Sequence, residues 1–118
     1  MSNIQPNQLD KSALKKGTAE LIALAQLGNA RRHAYEIAIR IGQRSAGAVT
    51  FNVASLYPIL YRLERQGLIS GTWVEKPGQR RRRYYKLTAA GKKMLAEQRK
   101  NWSDFMDAIQ RTSGIEYA

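Results

Sequence analysis

Residues 52–88 read NVASLYPILYRLERQGLISGTWVEKPGQRRRRYYKLT, and a change of period inside this stretch decides the fold. In its first half Leu56, Ile59, Leu60 and Leu63 recur at helical spacing, which gathers them on one buried face. Asn52 offers a side-chain oxygen to the first free backbone amides, and Gly67 after Arg65 and Gln66 supplies the stop. Pro58 forfeits one backbone hydrogen bond, so a kink or a later helix start is expected there. From Leu68 onward the pattern is that of strands. Ile69–Glu75 and Arg83–Leu87 have strand composition, and Lys76–Arg82 between them is a turn that becomes a basic tip.

Upstream, Met1 to Leu9 is polar and reads as a loose arm, with Asp10 as a helix N-cap. Leu14, Thr18, Leu21, Ile22, Ala25 and Leu27 predict a first helix from about Lys11 to Leu27, which Gly28 stops. Ala34, Ile37, Ala38 and Ile41 predict a second helix after the Gly28-Asn29 break, ending near Ser45 before Gly47. Downstream, Thr88 caps a last helix, along which Met94, Leu95, Gln98, Trp102, Phe105, Met106 and Ile109 keep a three-to-four spacing to about Arg111. Three helices followed by a hairpin with a basic tip make a mainly α (α+β) winged helix-turn-helix. The expected organisation is an arm over 1–10, the winged domain over 11–87, and a dimerisation helix and tail over 88–118.

The chain has 118 residues, 20 Lys/Arg and 9 Asp/Glu, a net charge of +11, and is 43% hydrophobic. That is too apolar for a disordered basic tail and enough for one core. With no Cys and one His, disulfides, cysteine-zinc sites, thiol catalysis and any two-histidine metal site within one chain are excluded. No apolar run approaches the ~18 residues of a membrane span, so a cytoplasmic, nucleoid-associated protein without cofactor or metal is expected. The surplus charge is concentrated. Residues 76–93 hold eight cations and no acid, whereas residues 94–118 hold three cations against four acids. One region is thus dedicated to a polyanion, and the last helix is not part of it.

A helix fits the major groove and a two-stranded wing lays cations on phosphates, so the expected partner is double-stranded DNA. On the third helix Asn52, Ser55, Tyr57, Tyr61, Arg62 and Gln66 lie away from the leucine stripe and can meet bases or phosphates. In the wing, Arg80, Arg81, Arg82 and Arg83 are the phosphate candidates, although strand alternation sends neighbours to opposite faces. His33, at a helix start, has a hydrogen-bonding or packing role. A last helix that projects past a small domain cannot bury Leu95, Trp102, Phe105, Met106 and Ile109 alone, which points to a second copy of the chain. The competing readings are a non-specific nucleoid or RNA-binding protein, an enzyme, and a module whose wing binds an acidic protein. The first predicts equal affinity for any duplex, and the second lacks any nucleophile–base pair or phosphate-cradling loop.

Four motifs in order resemble the PadR family of bacterial transcriptional regulators over nearly the whole chain. They are Leu14–Leu21, His33-Ala34-Tyr35-Glu36-Ile37 with Ala34 where Gly is usual, Ser55–Leu60 with Arg62-Leu63-Glu64 and Gly67-Leu68-Ile69, and Arg81–Thr88 with Gly91. The resemblance implies a proline within the recognition helix, the short subfamily with one C-terminal helix, and a repressor acting on a palindromic operator. It also implies homodimers formed through the first and last helices, which adds Leu21 to the dimer surface. Some short members hold planar aromatic compounds between paired tryptophans at a position matching Trp102, which makes Trp102 an effector candidate.

Overall fold

The computed structural model describes residues 11–115; the expected arm, its Asp10 cap and the last three residues lie outside the described residues. In chain order the elements are α1 (Lys11–Ala25), β1 (Arg32–His33), α2 (Ala34–Arg44), α3 (Val53–Arg65), β2 (Ile69–Val74), β3 (Arg82–Leu87) and α4 (Ala89–Ser113). The strands form one antiparallel sheet in the order β1-β3-β2, a winged helix-turn-helix with a long C-terminal helix.

The capping chemistry sets the helix starts. Asn52 Oδ1 accepts from the Ser55 amide at 2.8 Å, and Thr88 Oγ1 accepts from the Gly91 amide at 3.0 Å. α3 runs from Val53 through Pro58 to Arg65 as one helix, so the later start does not occur. Its lost hydrogen bond belongs to the Ala54 carbonyl, and Ala54 and Pro58 both lie on the exposed side, where water can replace the missing donor. α1 ends two residues before the expected Leu27, because Leu27 and Gly28 turn back on Leu24 and Ala25 with three-residue hydrogen bonds. β1 was not expected; two residues carry no periodic signal, and it exists through its pairing of His33 with Tyr84 and Arg32 with Tyr85.

One core joins the four helices with β2 and β3. Leu24 and Leu27, Ile37 and Ile41, Leu56, Leu60 and Leu63, Ile69, Leu87 and Leu95 are buried together. Leu95 therefore belongs to the chain's own core rather than to a free stripe. Gly91 brings α4 into this core at backbone distance: a Cβ there would fall on the Leu68 carbonyl. The Thr88 amide donates to that same carbonyl at 3.1 Å, and Thr88 Oγ1 donates to the Gly67 carbonyl at 2.6 Å.

Two glycines should respond oppositely to a methyl group. Gly91→Ala must displace α4 and is expected to cost about 1–3 kcal/mol. Gly42→Ala, in the interior of α2 with nothing within 4 Å of the added carbon, should stabilise by about 0.5–1 kcal/mol. Urea denaturation of both variants checks the pair; equal effects would mean that the α4–Leu68 contact is not close.

Candidate nucleic-acid interface

α3 and the wing diverge from a common root at Gly67-Leu68 and leave two clefts between them. One, of about 430 Å³, is bordered by the α2 start at His33 and Tyr35, by Val53 and Tyr57 of α3, and by Arg80–Arg83 of the wing. The other, of about 760 Å³, lies between Tyr57, Pro58, Tyr61 and Arg65 of α3 and Trp73, Arg83 and Tyr85 of the sheet. Trp73 and Tyr57 border both. Tyr57, Tyr61 and Trp73 are each more than half exposed, so large aromatic surface faces solvent on both sides of the cleft.

The outward residues of α3 do not form one set. At about 100° per residue, Tyr57, Tyr61 and Arg65 occupy the flank toward the wing, and Ser55, Arg62 and Gln66 the flank away from it. Arg62 is held: its Nε donates to Glu20 Oε1 of α1 at 2.9 Å. Asn52 spends its Oδ1 on the helix cap and keeps its amide group exposed. Arg65 stands over the Tyr61 ring at 5.6 Å, exposed and next to the cleft. Arg65, expected only to mark the helix end, stands four residues from Tyr61, the spacing that puts both on one helix face.

In the wing Arg82 and Arg83 open β3 and divide by strand alternation, while Arg80 and Arg81 lie in the loop just before it. Arg83 points to the α3 side, where it is ion-paired to Glu64. Arg81 lies on the same face, with its guanidinium 4.3 Å from the centre of the Trp73 ring. Arg82 points the other way and covers His33, its Nη1 3.3 Å from Nδ1 and 3.2 Å from Nε2, with Tyr35 beyond at 5.9 Å. Arg80 is exposed at the tip. Tyr84 and Tyr85 separate as the alternation requires: Tyr85 is buried, which pushes its hydroxyl pKa up, and half-buried Tyr84 lies under Arg31 and Lys76.

His33 links α2 to the wing. Its Nδ1 accepts from the Glu36 amide at 3.3 Å, and Glu36 Oε1 accepts from the His33 amide at 3.2 Å, a reciprocal cap at the start of α2. Burial lowers the imidazole pKa; Glu36 opposes this, and Arg82 and Lys76 add to it. Among the described residues no group of three His, Asp or Glu side chains could hold a metal ion, and no helix is long and apolar enough to cross a membrane.

On α4, only Gly91 and Leu95 are buried. Trp102 packs edge-on against Phe105 with ring centres 5.9 Å apart, while Phe105 and Met106 are about half exposed and Ile109 half-buried. Leu21 of α1 is half-buried against the core.

A helix-turn-helix with a cationic hairpin and a projecting helix defines a winged-helix DNA-binding protein. Residues 23–97 match the family of PadR-like transcriptional regulators. The chain belongs to that family and is a transcriptional regulator, not an enzyme. A PadR-like transcription factor of Bacteroides fragilis is 28% identical and superposes with a TM-score of 0.75 over 86% of this chain and 96% of its own. A protein of Lysinibacillus sphaericus is 28% identical over 99 residues, 84% of this chain and 91% of its own. Bacillus subtilis PadR, solved in complex with operator DNA, shares the fold at 20% identity with a TM-score of 0.61, over 66% of this chain and 44% of its own.

The cap on α2 has a pH signature. A histidine pKa lowered by folding gives stability that is present above its ordinary value of 6.5 and lost as pH falls through the folded value. Urea denaturation from about pH 7.5 to 5 should show that loss in the wild type. His33→Asn, whose side-chain oxygen can cap without titrating, should flatten the curve; parallel curves would show that His33 is not the group responsible.

Proposed function

We propose that the protein is a sequence-specific repressor that binds a palindromic operator as a homodimer, with α3 in the major groove and the wing on the flanking backbone. The observation that carries this reading is the pairing of an exposed α3 face with a wing that holds six cations and no acid from Lys76 to Leu87, followed by two more cations, Lys92 and Lys93, in the first turns of α4. Arg62 and Arg83 are held by Glu20 and Glu64, so Ser55, Tyr57, Tyr61 and the free amide of Asn52 are the base-reading set, and Arg80, Arg81 and Arg82 the wing set that meets the flanking DNA. The homologous fold in Bacillus subtilis PadR, which was solved with operator DNA, supports DNA as the partner.

The dimer forms through Trp102, Phe105, Met106 and Ile109 of α4, with Leu21 of α1 beside them. Leu95 acts only indirectly, by holding α4 to its own domain. A planar aromatic effector between the two copies of Trp102 would alter the separation of the reading heads. Repression follows from occupancy of a promoter, at the chromosome in the cytoplasm.

Selection of bound duplexes from a random pool tests the reading. Two inverted half-sites about 34 Å apart are expected; equal retention of every duplex would leave a non-specific nucleic-acid binder. In the same binding assay, Trp102→Ala combined with Phe105→Asp should give a folded monomer by circular dichroism and sedimentation velocity. Its operator affinity should fall by about 100-fold or more, because the second head is no longer linked. A dimer that persists with affinity unchanged would place the dimer contact elsewhere.

A further inference from the structure

Trp73 is the least explained side chain near the interface: a large aromatic, 52% exposed, on the cleft side of the wing. Its surroundings are ordered. Directly across the hairpin from Trp73 is Arg83, whose guanidinium stands 5.5 Å from the indole centre and is anchored by Glu64 of α3. Arg83 reaches Glu64 by passing over Gly71, where any Cβ would lie 2.5–2.8 Å from the guanidinium atoms. Two residues toward the tip, on the same side of the wing, Arg81 places its guanidinium 4.3 Å from the centre of the same indole. The result is one continuous stack, Glu64–Arg83–Trp73–Arg81, that runs from the recognition helix to the wing tip.

We propose that Trp73 is a specificity-positioning residue: through this stack it holds the Arg81 guanidinium in one place relative to α3, so that the wing reads the width of the minor groove beside each half-site. The inference rests on the DNA-binding reading above and adds a second source of sequence preference to it.

Geometry supports the location. A six-residue hairpin extends about 20 Å, and adjacent grooves of one duplex face are separated by about half of a 34 Å turn. With α3 in the major groove, the tip reaches the next minor groove. Chemistry supports the reading mode. A phosphate contact needs only a charge, which Arg80 and Arg82 already supply in exposed positions. Arg81 is exposed too, but its guanidinium sits 4.3 Å from the centre of the indole on the cleft side, whereas Arg82 is turned to His33 on the opposite face. An aromatic contact of that kind narrows the rotamers open to Arg81 before DNA arrives and reduces the entropy lost on insertion. Its other neighbour, Glu75 at 3.9 Å, is an exposed pair of little strength. A narrow minor groove focuses negative potential and attracts an inserted arginine, and A·T-rich tracts are narrow.

The experiment compares duplexes that keep the selected half-sites and vary only the flanks: A·T tracts, G·C tracts, and tracts of inosine·cytosine. Inosine lacks the 2-amino group that marks G·C in the minor groove and keeps the major-groove pattern of guanine. Wild type should bind A·T and inosine flanks about fivefold more tightly than G·C flanks. Trp73→Leu and Arg81→Lys should each reduce that ratio below about twofold while preserving half-site preference. Arg81→Lys should also keep the salt dependence, since its charge is kept. A wild type indifferent to its flanks, or a Trp73→Leu protein that keeps the full ratio, overturns the proposal while leaving half-site recognition in place. Loss of half-site preference in the wild type itself would overturn the DNA-reading assignment, and this inference with it.

Discussion

The molecule depends on one crossing point. At Gly67-Leu68 the chain leaves α3 and enters the wing, and at Thr88–Gly91 it leaves the wing and enters α4; the two passages touch through their backbones. Thr88 makes three connections there, donating through its amide to Leu68 and through its hydroxyl to Gly67 while accepting from Gly91. The hydroxyl thereby caps α4 and ties it to the C-terminus of the recognition helix. Since Gly91 has no side chain to hold the helix away, α4 leaves the domain in a direction set by main-chain contact rather than by adaptable side chains. The angle between the reading head and the projecting helix is therefore built into the fold.

Electrostatics decides which cations remain for a partner. Arg62 and Arg83 are neutralised by Glu20 and Glu64, and each pair ties α3 to a neighbour, one to α1 and the other to the wing. Both pairs are only partly exposed, so they orient α3 on both flanks. Of the remaining wing cations, three rest on aromatic faces, Arg81 on Trp73, Arg82 on Tyr35 and Lys76 on Tyr84, and among the described residues the one carboxylate paired with any of them is Glu75, at 3.9 Å from Arg81. An aromatic face holds a guanidinium without cancelling its charge, so the wing stays ordered and positive together.

Much of this was legible from periodicity and capping. The α3 stripe, the Asn52 and Thr88 caps, and the change to strand spacing after Leu68 are local signals, and the structure has them where the residues put them. What could not be read was set by contacts distant in sequence. β1 exists only because β3 returns beside it, 50 residues later. The ion pair that Arg62 makes was equally hidden, since its partner Glu20 is 42 residues away. Leu95 shares the α4 period with Trp102 and Phe105 but falls on a different surface, because α4 covers its own domain for two turns and then outruns it. Helical period tells which side of a helix is apolar; where the covering domain ends is a property of the whole fold.

That division of α4 bears on assembly. A chain of net charge +11 resists self-association over most of its surface, and strongly over the acid-free segment 76–93. The segment from residue 94 to 118 is the exception, with three cations and four acids. Its half-exposed aromatic and aliphatic side chains lie along a helix of 25 residues, about 38 Å long. In the proposed dimer, two copies meeting along this stripe would bury apolar surface where repulsion is least, and the length of each helix would separate the wings by more than a Debye length of about 8 Å at physiological salt. The near-neutral composition of the last helix and the cationic wing thus both suit the proposed dimer. Like charges that would oppose a compact dimer would be carried to its two ends, where both could face the same polyanion.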